Sequence, residues 1–236
     1  MAAADLIPYL YRFLRRRQPD CLWEGDRTLP QVALTFDDGP HPIYTPPLLR
    51  VLEQYSVKAT FFWLGSWVER YPEIARAVYE QGHWIGLHGH VHRPFIGQSP
   101  TSIHTSLKHT QEAISRACDR PAAAFVDVRP PYGICSSRTV KRLRSWGYRP
   151  VMWSMVPVDW TEPGIALITQ RVLNATVSGD IIVLHDGSSG GKDVANVTAA
   201  ILPKLQADDL AFITVEQMWT QSFSIHQIPS QNAKNR

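Results

Sequence analysis

The sequence predicts an α/β domain built on a mainly parallel sheet, on three observations. Strand-like and helix-like segments alternate from about residue 31 to residue 219. The strand-like segments are short and rich in β-branched or aromatic residues, as buried strands are. Polar residues gather just beyond their ends, which is where parallel α/β folds bind ligands. An alternation of this kind winds into an open sheet or closes into a barrel.

The first strand is expected over 32–36, followed by a helix over 47–55 with Leu48, Leu49 and Leu52 on one face. A second strand, 59–64, leads to a helix over 72–81 that carries Ile74, Ala75 and Val78 and stops at Gly82. The third strand is 84–87. Beyond it, Ser99-Pro100 reads as a helix start, with serine as the cap and proline in the first turn. That helix runs through Ile103, Leu107 and Ile114. Strands at 124–128, 150–153, 180–184 and 211–215 follow, with helices over 136–146 (ended by Gly147), 164–174 and 194–206 between and after them.

The length of 236 residues fits one large domain, since α/β barrels of this size are single units. We expect a catalytic domain over 31–222, an N-terminal lead-in over 1–30 and a polar tail over 223–236. Hydrophobic residues make up 44% and charged residues 19%, so the chain can bury a core that needs no staple to fold. The net charge of +3 gives no ground for nucleic-acid binding. Cys21, Cys118 and Cys135 are an odd set without C-x-x-C spacing, and read as three reduced thiols. Near the N-terminus the apolar stretch precedes Arg15-Arg16-Arg17, the reverse of a secretory signal. It is also shorter than the roughly 20 residues that span a bilayer. Leu6, Leu10, Phe13 and Leu14 fall at helical spacing and predict an amphipathic helix packed on the domain, with a weak membrane-surface contact through residues 1–17 as the alternative. A cytoplasmic or membrane-peripheral monomer is the expectation.

The chemistry gathers at the strand ends: Asp37 and Asp38 after the first strand, His88 to His92 after the third, Arg129 after the fourth, Asp159 beyond the fifth, and His185-Asp186 after the sixth. Asp-Gly and Gly-Pro at 38–40 would alone signal only a turn. Two adjacent carboxylates, however, repel unless a cation lies nearby, and they point in different directions. One can bind a metal while the other faces a reacting water. His88 and His92 would share a side on one helical turn, whereas His88/His90 or His90/His92 would suit an extended strand. Two imidazoles and one carboxylate leave positions for water and a substrate oxygen, an arrangement shared by hydrolases and by non-haem iron oxygenases. Arg129 could pair with Asp37. Asp159 is a candidate partner that would raise the pKa of His185 toward the range of a general acid.

The segments Thr-Phe-Asp-Asp-Gly-Pro at 35–40, His-x-x-x-His at 88–92, Arg-Pro-Pro-Tyr-Gly at 129–133, Asp-Trp at 159–160 and Leu-His at 184–185 together resemble the NodB-homology polysaccharide deacetylases, carbohydrate esterase family four. The resemblance covers roughly 31–219. It implies a distorted, incomplete (β/α)7 barrel that hydrolyses acetyl groups, N-acetyl above all, from an amino-sugar glycan. It also implies Asp37 as catalytic base paired with Arg129, and Asp38, His88 and His92 as ligands of one divalent ion, zinc foremost and cobalt or nickel as substitutes. His185 would be the general acid, oriented by Asp159. The backbone N–H of Tyr132 would meet the oxyanion, and Leu184 and Trp160 would line the substrate pocket.

Two positions depart from the family pattern. Gly89 stands where a hydroxyl residue is usual, and Val156 where an earlier acid is usual. The alternatives are another barrel metallohydrolase acting on a non-sugar amide, such as an amidohydrolase with an H-x-H pair, and a catalytically silent glycan-binding domain.

Overall fold

The computed structural model describes residues 14–224. The expected amphipathic helix of the first residues, its membrane contact and nearly all of the polar tail lie outside the described residues. In chain order the elements are β1 (Gln31–Asp37), α1 (Thr45–Gln54), β2 (Thr60–Trp63), α2 (Gly65–Arg70), α3 (Pro72–Glu80), β3 (Trp84–Leu87), α4 (Pro100–Cys118), β4 (Asp127–Val128), α5 (Ser137–Ser145), β5 (Arg149–Pro150), α6 (Ile165–Ala175), β6 (Ile181–His185), α7 (Gly191–Ala207), β7 (Ala211–Phe212) and α8 (Val215–Ser224). No helix among the described residues is long and apolar enough to cross a membrane.

All strand pairs are parallel, in the order β5-β4-β3-β2-β1-β6, with β7 beside the start of β1. The sheet curls until the chain after β5 meets β6 through a single bridge, Met155 to Ile182. The result is a distorted, incomplete (β/α)7 barrel, as the resemblance implied. The closing stretch is irregular: Ser154 and Met155 both donate to the carbonyl of Ile181, and Val183 donates back to Met155.

Strand alternation divides the core into two layers. In β1, Val32, Leu34 and Phe36 face outward and pack with Leu48 and Leu52 of α1 and Ile201 and Leu205 of α7. Ala33 faces inward and packs with Phe62, Trp153 and Val183. Thr35 and Asp37 share the inward parity, so β1 carries its polar residues inside the barrel. The opposite end of that interior is plugged by Val215, Met218 and Trp219 of α8. Full burial of Leu48 or Leu52 contributes about 1.5–3 kcal/mol each.

Several expected elements differ in extent. The fourth strand shrinks to Asp127–Val128 because Ala122–Ala124 form a 3-10 turn. The fifth is Arg149–Pro150, since the chain beyond it leaves the ladder to make the irregular closure. The seventh ends at Phe212, and Val215 already opens α8. The short helix α2 was not anticipated. The start of α4 is as expected: Ser99 Oγ accepts from the Ser102 N–H at 3.1 Å.

His83, at the start of β3, is 2% exposed. Its Nδ1 accepts from the Ala59 N–H at 3.1 Å, and burial, with Lys58 adding repulsion, lowers its pKa to about 4. Because the unfolded chain takes up the proton first, this histidine's contribution is complete above about pH 6.5 and is lost as pH falls through about 4. We expect His83→Asn, whose amide oxygen can accept the same N–H, to flatten the fall in unfolding free energy between pH 6.5 and 4 by about 2–3 kcal/mol. Urea unfolding of metal-stripped protein checks this, and an unchanged acid limb would refute it.

Candidate active site

The polar residues read from the strand ends converge on one rim. The β1–β6 register sets Asp37 opposite His185, side by side at the mouth of the barrel. Their neighbours Asp38, His88, His92, Tyr132, Ile134, Trp153, Trp160, Val183 and Ser189 complete a cavity of about 440 Å³.

Arg129 organises the inner wall. It is fully buried, and its Nη1 donates to Asp37 Oδ1 at 2.6 Å and to Thr35 Oγ1 at 2.7 Å. Its Nη2 donates to the Met152 carbonyl at 2.8 Å, and the guanidinium lies 4.1 Å from the centroid of the Phe62 ring. The Arg129 carbonyl reaches the other way, 2.7 Å from His88 Nδ1. One residue thus orients both the inner carboxylate and the first histidine.

Asp38, His88 and His92 form a three-donor cluster with all ligand atoms within 4.8 Å of one another. His88 Nε2 and His92 Nε2 lie 3.3 and 3.4 Å from Asp38 Oδ1. Because a carbonyl can only accept, the contact at His88 Nδ1 fixes the proton there. In the neutral ring Nε2 then presents a lone pair toward a carboxylate oxygen. Asp38 Oδ1 is buried and has no hydrogen-bond partner among the described residues. Lone pairs facing one another at this separation suit a shared cation, and the oxygen and nitrogen donors suit a divalent transition metal. Burial works against the Asp38 anion, but the surrounding imidazoles of His88, His185 and His92 hold its carboxyl well below the usual carboxylate range.

The two histidines do not share a helical turn. Residues 88–92 form an irregular loop in which Gly89 takes φ +85°. The carbonyls of Gly89 and His90 accept from the first N–H groups of α2, at Gly65 and Ser66, each at 3.0 Å. The His90 N–H donates to Ser106 Oγ of α4 at 2.8 Å. With glycine at position 89, the loop is thus braced from outside by α2 and α4. His90 itself points away from the cluster, toward Glu69 and His109.

On the opposite wall, Asp159 Oδ1 lies 2.9 Å from His185 Nδ1, while its Oδ2 accepts the His185 backbone N–H at 2.8 Å. Burial disfavours the imidazolium, yet the charge and hydrogen bond of Asp159, with Asp38 and Asp37 adding, push the His185 pKa up to about 9. Trp160 stands edge-on to the ring at 5.3 Å. Tyr132 adopts φ +62° with its side chain half exposed, and its ring lies 4.3 Å from that of His92. Gly133 beside it must be glycine, since a Cβ there would lie 2.2 Å from Trp153.

One expected lining residue is displaced. Leu184 is 1% exposed and packs outward against the helices, while Val183 lines the cavity. Alternation explains this: the residue sharing the face of His185 is two positions before it. That parity rule was available in the sequence. Trp153, Ile134 and Ser189 were also missed, because each reaches the cavity from irregular chain that gives no periodic signal.

An enclosed mouth of a parallel barrel, with a carboxylate, an imidazole and a three-donor cluster around it, defines a barrel hydrolase. The chain belongs to the polysaccharide deacetylase family (NodB homology, carbohydrate esterase family four), whose pattern it matches over residues 24–151. It is 34% identical over 198 residues to a peptidoglycan-N-acetylglucosamine deacetylase of Bacillus cereus, covering 83% of this chain and 91% of the relative. It is 35% identical over 198 residues to a chitooligosaccharide deacetylase of Bradyrhizobium, covering 84% and 89%. The crystal structure of the Bc1960 peptidoglycan N-acetylglucosamine deacetylase, in complex with an N-oxidanyl-benzamide, superposes with a TM-score of 0.80 at 30% identity, covering 84% of this chain and 92% of that one.

Removing Arg129 would leave the Asp37 carboxylate buried without its cation. We expect Arg129→Met to cost about 3–5 kcal/mol in urea unfolding, partly recovered when Asp37→Asn is added. A loss below 1 kcal/mol would show that water reaches this pair.

Proposed function

We propose that the chain hydrolyses the N-acetyl group of N-acetylglucosamine units in a glycan, releasing acetate and leaving a free amine. The observation that carries this reading is the placing of Asp37 and His185 side by side on neighbouring strands at the barrel mouth, beside the Asp38–His88–His92 cluster. The relatives' substrates, peptidoglycan and chitooligosaccharides, share that acetamide.

Asp38, His88 and His92 would hold one divalent ion, zinc by donor type, whose Lewis acidity would polarise the acetamide carbonyl and acidify a water. Asp37, fixed by Arg129, takes a proton from the attacking water as its oxygen bonds to the carbonyl carbon. The Tyr132 N–H stabilises the resulting oxyanion. His185, held by Asp159, gives a proton to the sugar nitrogen as the C–N bond breaks. Trp160 and Val183 enclose the acetyl end of the cavity. The charge and hydrogen bond of Asp159 raise the His185 pKa, which favours the protonated ring that a general acid requires.

The silent-domain alternative predicts no turnover. Acetate release is expected from acetylated chito-oligosaccharides and from peptidoglycan, to stop with chelator and to return with added zinc or cobalt. Asp37→Asn should lower the rate by about 10²–10⁴-fold while retaining bound metal by elemental analysis. Full activity in a metal-loaded Asp37→Asn protein would reassign the base.

A further inference from the structure

Next to the catalytic cavity lies a second one of about 370 Å³, a groove between the start of α4 and α5. Its floor is apolar, with Phe95, Ile103 and Trp146, and Ile96 stands on its rim at 55% exposure. Arg138 and Arg142 project from α5 along one wall. Neither has a carboxylate partner among the described residues, so both guanidinium groups are open to a ligand's anion. The helix they belong to, Ser137–Ser145, carries four basic residues and no acidic one.

The groove and the catalytic cavity share their dividing ridge. His92 lines one side and Phe95 the other; Ile134 lines one side and Ser136 the other. Two or three residues of chain span at most about 10 Å, so a glycan seated in the catalytic cavity has neighbouring sugar units within reach of the groove. A cation pair over an apolar floor with an aromatic ring suits a sugar that bears an anionic substituent. A guanidinium binds a carboxylate in planar, two-point fashion, and the indole of Trp146, packed against His104 at 4.6 Å, adds apolar surface to the lining.

We propose that this groove is a specificity subsite for a carboxylate-bearing sugar adjacent to the one being deacetylated, with Arg138 and Arg142 as its recognition groups. The inference rests on the proposed glycan deacetylation and deepens it, because it separates a peptidoglycan strand freed of its peptides, whose alternate sugars carry free carboxylates, from peptide-bearing strands and from a neutral chitooligosaccharide.

The test compares a peptidoglycan-derived tetrasaccharide with free carboxylates against the same compound with its carboxylates amidated. Binding is followed by tryptophan fluorescence and turnover by acetate release. Wild-type protein should bind the free form at least about tenfold more tightly, with a preference that shrinks at high salt. Arg138→Gln/Arg142→Gln should bring the ratio of the two dissociation constants close to one, and Arg138→Glu/Arg142→Glu should invert it. Both helix positions tolerate polar residues, and unchanged thermal melting confirms that the variants fold. Equal binding of the two forms by the wild type, or a ratio unmoved in both double variants, would overturn the proposal. The binding ratio is independent of turnover. Selective binding without acetate release would therefore sink the deacetylase reading and leave the subsite standing, and the converse result would do the opposite.

Discussion

The structure depends on a guanidinium placed inside a barrel. Arg129 joins the inward-facing oxygens of β1 to the backbone of the closing strand region, and its own carbonyl fixes a histidine on the far side. A charge in that position is unfavourable unless paired, and the surroundings pair its two terminal nitrogens with a carboxylate, a hydroxyl and a carbonyl under an aromatic face, leaving only Nε without a partner among the described residues. The requirement runs in both directions. Asp37 can sit at the mouth of an apolar interior only because Arg129 is beneath it, and Arg129 tolerates burial only because β1 presents oxygens at alternate positions. Stability and chemistry thus share a single ion pair.

The same economy extends to the loop of histidines. Its geometry is irregular, so no repeating hydrogen-bond pattern holds it. Short α2 receives two of its carbonyls and α4 supplies a hydroxyl to its N–H. The loop's rigidity is borrowed from neighbouring helices: from the first turn of α2, whose N–H groups have no partner within the helix, and from the Ser106 hydroxyl in the second turn of α4. On the opposite wall Asp159 plays a comparable part, binding both the ring and the backbone of His185.

Much of this was legible in the sequence, for identifiable reasons. Long apolar strands such as β1 and β6 declare themselves by composition, and α4 by its serine cap and its proline. Polar residues placed immediately after strands could be assigned to one rim because a parallel sheet sends all its strand ends to the same side. What escaped was whatever depends on irregular chain. The two-residue strands β4 and β5 carry almost no periodic signal, and the stretch over 151–155 that brings Trp153 to the cavity follows no ladder. The six-residue α2 is too short to show a helical face. The placement of Leu184 on the cavity wall failed differently: adjacency to His185 was followed where alternation should have been. The histidine spacing likewise suggested a helical turn, while a left-handed glycine accomplishes the convergence by another route.

That glycine has a consequence for how this active site can be altered. At φ +85° a side chain at position 89 is strained, and the loop is held instead across space by the Ser106 hydroxyl, which accepts the His90 N–H. The pentapeptide over 88–92 is accordingly not a portable module. Transplanted into a scaffold without a hydroxyl at the position of Ser106 it would arrive without its prop, and a chimera preserving its behaviour would have to carry the matching face of α4 along with it.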